Sequence, residues 1–404
     1  MGCPLIPLAC TGPGAVGTQN LRATCTHVLT ALTTLVLGGY GNFGARICHG
    51  LAGDPANHHH ISLLMAGRNA AQARALAATL HHGAQGIALD HSAPGLADRL
   101  RALGVGLVIH TAGPFQAQAY GVAQAAAEAG AHYIDLADGR RFVCDFAAAM
   151  HPHFTAAQRT AITGASTVPA LSSAVVDALC AGWQHIDSID ICIAPAQRAP
   201  RGQATLKAVL SYCGLPIDVW QGGRWQPQRG WAQPTPVQFQ RLRPRLGAVC
   251  DIPDLELFPA HYQARDRVTF RAALEVALAQ RTFAAIAALR HWGVLPHPEK
   301  LAGLMHHTGG VLDFMGTGLG GMVVRVVGAD SQGHPRRRAW HIAADDDHGP
   351  EIPCMAAILL ARQIAAGQTL PIGAHTSTSQ LPLQAFAPEF AGWGMVTDTL
   401  DEST

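Results

Sequence analysis

The sequence predicts a doubly wound α/β domain with a parallel sheet, followed by a second, α+β domain with an antiparallel sheet. Three observations lead there. Short apolar strands alternate with helices from Thr33 to about Ala181, the rhythm of a parallel sheet covered on both faces. A glycine turn joins the first strand to the first helix. Beyond about residue 185 the alternation stops, and two long strand-like runs, Met322 to Val327 and Arg338 to Ala343, read as a hairpin.

The elements follow in order. Leu35, Val36 and Leu37 form the first strand, and Phe43, Ile47 and Leu51 mark one face of the helix after it. Ile61 to Ala66 is the second strand, and Asn69 caps an Ala-rich helix running to about His82. Gly86 to Leu89 and Val105 to His110 are strands separated by a short helix near Leu96 to Leu103. Helices from Gly121 to Glu128 and Arg141 to Met150 flank a strand at Tyr133 to Leu136, and Thr160 to Ile162 precedes a helix from Ser173. In the second half Ser188 to Ala194 is strand-like, Gln203 to Leu210 helical, and Gln221 to Pro236 a Trp, Pro and Gly-rich loop region. Ile352 to Ala366 is a helix ending before Gly367, and the tail after Gly373 is irregular apart from a short helix around Phe386. The resulting division is 1–32 as a loose N-terminal extension and 33–185 as the dinucleotide domain. Residues 186–345 are a substrate or dimerisation domain, and 346–404 a C-terminal helix and tail that packs back on the first domain.

Composition narrows the function. With 404 residues and 49% hydrophobic content the chain can bury a large core, and a net charge of +1 argues against a polyanion-binding surface, so no nucleic-acid partner is expected. No apolar run reaches the roughly 18 residues of a membrane span. The N-terminal stretch lacks a charged leader with a clean apolar core, so a signal peptide is not expected. Ten cysteines without a C-x-x-C pair read as reduced core residues of a cytoplasmic protein. The 22 histidines cluster at His58 to His60, His81-His82 and His306-His307, but no metal framework holds them, and no metal is expected.

The spacing G-x-G-x-x-G occurs three times, at Gly12/Gly14/Gly17, Gly39/Gly41/Gly44 and Gly316/Gly318/Gly321, in a chain with 43 glycines. Only the middle copy follows a strand and opens a helix. There Gly39 allows a tight turn, Gly41 lets the backbone approach a pyrophosphate, and Gly44 permits close packing of helix on strand. That marks a Rossmann-type site, with Tyr40, Asn42 and Phe43 filling the loop. The second strand ends Ala66-Gly67-Arg68-Asn69, without the carboxylate that would bind ribose hydroxyls. Arg68 is placed to pair with a 2′-phosphate, so NADP(H) is expected in preference to NAD(H).

Thr111, Ala112, Gly113 and Pro114 leave the fourth strand at the same edge, beside the nicotinamide half. Asp138 and Arg140, after the fifth strand, are the candidate catalytic residues; a helix-start Asp and a solvated arginine are the plainer alternative. Arg198 and Arg201 are candidates to clamp a substrate carboxylate. No lysine precedes Lys207, which excludes a Tyr-x-x-x-Lys pair or a lysine-bearing phosphate loop in this half, and hydride transfer remains.

The strings LVLGGYGNFGARI, MAGRN, HTAGPFQAQAYGVAQAAAEAGAHYIDLADG and PALSSAVVDAL, spread in order over residues 33 to 180, resemble the NADP-binding domain of the saccharopine dehydrogenase family. Residues 185 to 404 resemble its less characterised, dehydrogenase-like branch more than its enzymes of lysine metabolism. The resemblance implies NAD(P)-linked chemistry at a carbon bonded to nitrogen. It also implies that Gly39, Gly41 and Gly44 hold the pyrophosphate, Arg68 the adenosine phosphate and Thr111 to Pro114 the nicotinamide ribose. Where that family commonly has Gly-Glu after the fifth strand this chain has Asp138-Gly139, which puts an amino-acid substrate in doubt. The expected activity is hydride transfer to or from a C=N or C=O carbon of a small molecule, and a homodimer is compatible with it. The alternative is a non-catalytic NADP(H)-binding sensor or docking protein.

Overall fold

The computed structural model describes residues 31–53, 60–80, 83–116, 118–200 and 202–402. The first glycine copy, nearly all of the N-terminal extension, His58, His59, His81, His82 and Arg201 lie outside them.

The first half alternates strand and helix throughout: β1 (Leu32–Leu37), α1 (Asn42–Ala52), β2 (Ile61–Gly67), α2 (Ala70–Ala77), β3 (Gln85–Ala88) and α3 (Leu96–Ala102). It continues with β4 (Leu107–His110), α4 (Gly121–Ala129), β5 (His132–Asp135), α5 (Arg140–Ala156), β6 (Thr160–Thr163) and α6 (Ser172–Leu179). These strands lie side by side in the order β6-β5-β4-β1-β2-β3, all parallel, so the chain turns outward in opposite directions from β1 and β4. The crevice for a ligand opens at that divergence, outside the carboxyl ends of the strands. Alternation along each strand feeds two cores. Leu35, Leu37, Val108 and Tyr133 pack with α3, α4 and α5 on one face, and Val36, Met65, Ile109 and Ile134 pack with α1 and α6 on the other.

The second half begins with β7 (Trp183–Ala194), α7 (Gln203–Tyr212), β8 (Pro216–Gln221), β9 (Arg224–Arg229), β10 (Thr235–Val237), β11 (Arg245–Val249), α8 (Asp254–His261) and β12 (Arg267–Ala273). α9 (Ala277–His291), α10 (Ala302–Thr308), β13 (Gly320–Asp330), β14 (Pro335–Ala344), α11 (Ile352–Ala365), β15 (Gly373–Thr376), α12 (Leu383–Gly392) and β16 (Val396–Asp401) follow. The sheet runs β10-β11-β12-β7-β13-β14-β16, with the β8–β9 hairpin attached to β12. Most pairs are antiparallel, including the expected β13–β14 hairpin, but β12 pairs with β7 in parallel, so the sheet is mixed.

Two sequence readings need correction. The loop region from Gln221 to Pro236 contains β9 and β10, with Gly222 and Gly223 both at positive φ in the hairpin turn. The tail after Gly373 is likewise ordered: β15 extends the parallel sheet beside β6, and β16 closes the second sheet beside β14. The chain after residue 345 therefore contributes a strand to each sheet, and α11 packs its apolar face against α1.

Candidate cofactor site and cleft

The turn between β1 and α1 is shaped by close backbone approaches. Gly38 is the residue in the left-handed region, at φ +79, so the tight turn expected at Gly39 falls one position earlier. The Gly38 and Gly39 amides both donate to the Ala66 carbonyl, at 2.9 and 3.0 Å, which ties the turn to β2. A Cβ on Gly44 would lie 2.1 Å from the Gly38 carbonyl oxygen and 2.8 Å from Thr111 Oγ1, so only glycine lets α1 seat on this turn. Thr111 Oγ1 donates to the Leu37 carbonyl at 2.8 Å and holds β4 to the same point.

Gly41 differs from its neighbours. It is exposed, and a Cβ there would meet nothing but the Gly38 carbonyl oxygen, at 3.0 Å. No side chain caps α1 and its first turn carries no acidic residue. Its free N–H groups and positive dipole end therefore face open space beside Gly41, a cradle fitted to a pyrophosphate. Phe43 packs into the core, and Asn42 Nδ2 donates to the Pro200 carbonyl at 3.5 Å, bringing the loop after β7 over the helix start. A cavity of about 370 Å³ opens beside the turn, lined by Tyr40, Gly41, Asn42, Arg46, His49 and Trp393 among others.

At the end of β2 the Tyr40 ring covers Gly67, where a Cβ would lie 2.2 Å from the ring, and the Tyr40 hydroxyl accepts the Asn69 amide at 3.0 Å. Asn69 Oδ1 in turn accepts from the amides of Ala71 and Gln72 and caps α2. Arg68 is exposed at this edge. Asp90, after β3, is held below the usual carboxylate range by its bonds from Ser92, with His91 and then Arg68 adding to the effect.

The segment Thr111 to Pro114 is fixed by a side chain the sequence did not single out. Gln118 Nε2 donates to the carbonyls of Ala112, at 2.7 Å, and Pro114, at 3.0 Å. Gln118 Oε1 meets His110 Nε2 at 3.1 Å. Burial pushes the His110 imidazole down to about 4, so at neutral pH it is uncharged; the network assigns its proton to Nε2.

Asp138 and Arg140 separate in role. Asp138 is exposed, and Gln116 Nε2 donates to its Oδ1 at 3.1 Å. Arg140 is occupied: Nε donates to Glu256 Oε2 at 2.9 Å, and Nη1 to the Asp218 carbonyl at 2.8 Å and Asp251 Oδ1 at 3.3 Å. Those partners belong to β8, to α8 and to the loop before α8, so Arg140 fastens the start of α5 to the second half of the chain. Arg198 is exposed on the loop that reaches Asn42. Among the described residues no group of three His, Cys, Asp or Glu is arranged to hold a metal ion.

The model of the saccharopine dehydrogenase NADP binding domain matches residues 34–178. None of the curated proteins matches the sequence. Among solved structures, apo histidine-tagged saccharopine dehydrogenase (L-Glu forming) from Saccharomyces cerevisiae superposes with a TM-score of 0.64 at 12% identity, covering 92% of this chain and 100% of that one. That likeness concerns the fold. An engineered D-amino acid dehydrogenase bound to NADP+ gives a TM-score of 0.47 at 14% identity, covering 88% of this chain and 96% of that one. The cradle at Gly41 and the domain match agree: residues 34–178 belong to the saccharopine dehydrogenase NADP-binding domain family, and the cofactor is NADP(H).

Proposed function

We propose that this chain is an NADP(H)-dependent oxidoreductase moving hydride to or from a C=N or C=O carbon of a small molecule, at the carboxyl edge of the parallel sheet. The observation that carries the reading is the uncapped N-terminus of α1 beside exposed Gly41, facing the Thr111 to Pro114 segment that Gln118 clamps. When bound, NADP(H) supplies the hydride donor or acceptor at its nicotinamide ring. The chain's own residues do the rest. Gly41 and the first amides of α1 take the pyrophosphate, and Arg68 at the end of β2 takes the 2′-phosphate. The Thr111 to Pro114 backbone lines the nicotinamide ribose.

Asp138 is the polar group offered to substrate. It is exposed at the edge of the sheet, and the Gln116 amide, donating to its Oδ1, fixes its orientation. Arg140 acts at one remove, as a positioning residue that holds the start of α5, and with it Asp138, against Glu256 and Asp251.

The test joins binding to turnover. NADPH is expected to bind well and NADH more weakly, and Arg68→Ala to weaken NADPH by about tenfold or more while leaving NADH unchanged, since one charge-assisted contact is lost. A panel of imines, 2-oxo acids with amines, aldehydes and enones is then offered with NADPH. Oxidation of NADPH by one class names the substrate. Binding without turnover on any class would replace the enzyme by the sensor or docking reading.

A further inference from the structure

We infer that Tyr40 sets the choice between the two nicotinamide cofactors: its ring fills the place of a ribose-binding carboxylate at the end of β2, and its hydroxyl holds the strand end that carries Arg68. The inference rests on Arg68 as the partner of the 2′-phosphate and adds to it a residue from the opposite side of the crevice. Gly67, the last residue of β2, is not glycine for the sake of its own backbone. It pairs with Ala88 of β3, and its φ lies outside the left-handed region, so the strand there suits a residue with a side chain. Space forbids one. A Cβ on Gly67 would lie 2.2 Å from Cε1, 2.7 Å from Cζ and 2.8 Å from the hydroxyl oxygen of Tyr40. A free ring end could swing aside, but this one is tied, because the hydroxyl accepts the Asn69 amide at 3.0 Å and Asn69 in turn caps α2. Gly67 and Asn69 flank Arg68, so one tyrosine constrains the residue on either side of it.

The chemistry follows from the one group in which the two cofactors differ. An NAD site reads the free ribose hydroxyls with an Asp or Glu near the end of the second strand, and such a carboxylate repels a 2′-phosphate. With the Tyr40 ring in place no acidic side chain fits at Gly67, and the ribose edge is left to Arg68. The first turn of α2 carries no acidic residue either. Asp90, a carboxylate that feels the Arg68 charge, stands after β3 and is engaged through Oδ1 by the amide and the hydroxyl of Ser92, at 3.0 and 2.6 Å. Discrimination of this kind joins an attraction, at Arg68, to an exclusion, at Gly67. Tyr40 also lines the cavity beside Gly41 and Asn42, so the exclusion operates next to the pyrophosphate cradle.

The test reads the ratio of NADPH to NADH affinity in fluorescence titrations of the full chain, since a variant that only loosens the turn weakens both cofactors alike. Tyr40→Phe keeps the ring and loses the bond to Asn69; NADPH affinity should fall about threefold with NADH unchanged. Gly67→Asp alone should weaken NADPH by about tenfold or more and bring no gain in NADH, because the ring still fills the space. Gly67→Asp combined with Tyr40→Ala frees that space, and the ratio should turn to favour NADH by about tenfold. A thermal melt of each variant separates these shifts from loss of fold. Gly67→Asp alone gaining NADH as fully as the double variant would overturn the inference, for the ring then excludes nothing. So would a Tyr40→Phe ratio equal to the parent's together with a double variant that still favours NADPH. If the parent favours NADPH and Arg68→Ala removes that preference, such results sink the role of Tyr40 alone. A parent that binds both cofactors equally sinks the role of Arg68 and, with it, that of Tyr40.

Discussion

The glycines at 39, 41 and 44 and those at 316, 318 and 321 have the same spacing and different surroundings. Around the first set, Gly38 and Gly44 are crowded by backbone and by Thr111, but Gly41 stands open at the start of an uncapped helix. Around the second, every position is taken. A Cβ on Gly316 would lie 2.1 Å from the Gln197 Cβ, on Gly318 2.9 Å from the Asp347 amide, and on Gly321 2.2 Å from the Ile342 carbonyl oxygen. The run leads into β13, a strand with no helix dipole to offer. A ligand is therefore expected at the first run, where Gly41 is exposed and a Cβ would meet a single backbone oxygen, and not at the second. The other glycines of either set serve packing.

The strongest way to break this comparison is to fill the open position. Gly41→Val puts a side chain where the pyrophosphate is expected to pass, and its Cβ meets only one protein atom. NADPH affinity should fall about a hundredfold, about 2.7 kcal/mol, with the melting temperature moved by no more than a few degrees. Fluorescence titration and a thermal melt read the two halves of that statement. Undiminished affinity would mean that the phosphates do not approach Gly41.

The reverse outcome is expected in the second set. Gly321→Ala forces a methyl group against the Ile342 carbonyl across the β13–β14 pair, and overpacking of this kind costs about 1–3 kcal/mol. Urea unfolding should show that loss, while NADPH affinity of the folded fraction stays within about twofold. A variant as stable as the parent but impaired in cofactor binding would make the second glycine run part of the site.

The unequal legibility of the two halves has a physical cause. In the first, buried strands such as Leu35-Val36-Leu37 and helices such as Phe43/Ile47/Leu51 carry clear periodicities, and the turn glycines sit at fixed offsets between them. In the second, β9 reads Arg-Trp-Gln-Pro-Gln-Arg and β16 Val-Thr-Asp-Thr-Leu-Asp. Both are edge strands, and their ladder bonds are backbone bonds that no side-chain pattern announces. β15 is four residues long and joins the parallel sheet from the far end of the chain, a pairing that no local signal encodes. Within the candidate site, Gly41 and Arg68 could be picked out because the roles proposed for them follow from distance along the chain. Gln118 could not, since its three bonds to His110, Ala112 and Pro114 exist only once the turn is folded. Nor could the engagement of Arg140, whose carboxylate partners lie more than a hundred residues downstream.

A second contrast between the two halves concerns buried carboxylates. Asp135, at the cofactor edge, accepts from the amides of Ala137 and Gly164 and from Thr163 Oγ1, and burial lifts it to about 6. Asp254, at the start of α8, receives one bond, from Ser172 Oγ at 2.5 Å; its Oδ1 is buried without a hydrogen bond, and burial lifts it to about 7. Because the folded value lies above the unfolded one, the folded chain binds the extra proton between about pH 4 and pH 7. Stability from this group is greatest at the acid end of that window and declines toward pH 7, by up to about 1.4 kcal/mol per pH unit. His110 and His132, both pushed down to about 4 by burial, tilt the balance the other way between pH 4 and 6.5. Whole-chain stability therefore hides the effect, and a difference exposes it. Asp254→Asn keeps the shape and cannot ionise, so the stability of the parent relative to the variant should decrease from pH 5 to pH 7 in paired urea titrations. A parent-minus-variant difference that stays level across that range would mean that Asp254 is ionised at pH 5 and that water reaches Oδ1. The seam between α6 and α8 would then be as well solvated as the open side of Gly41.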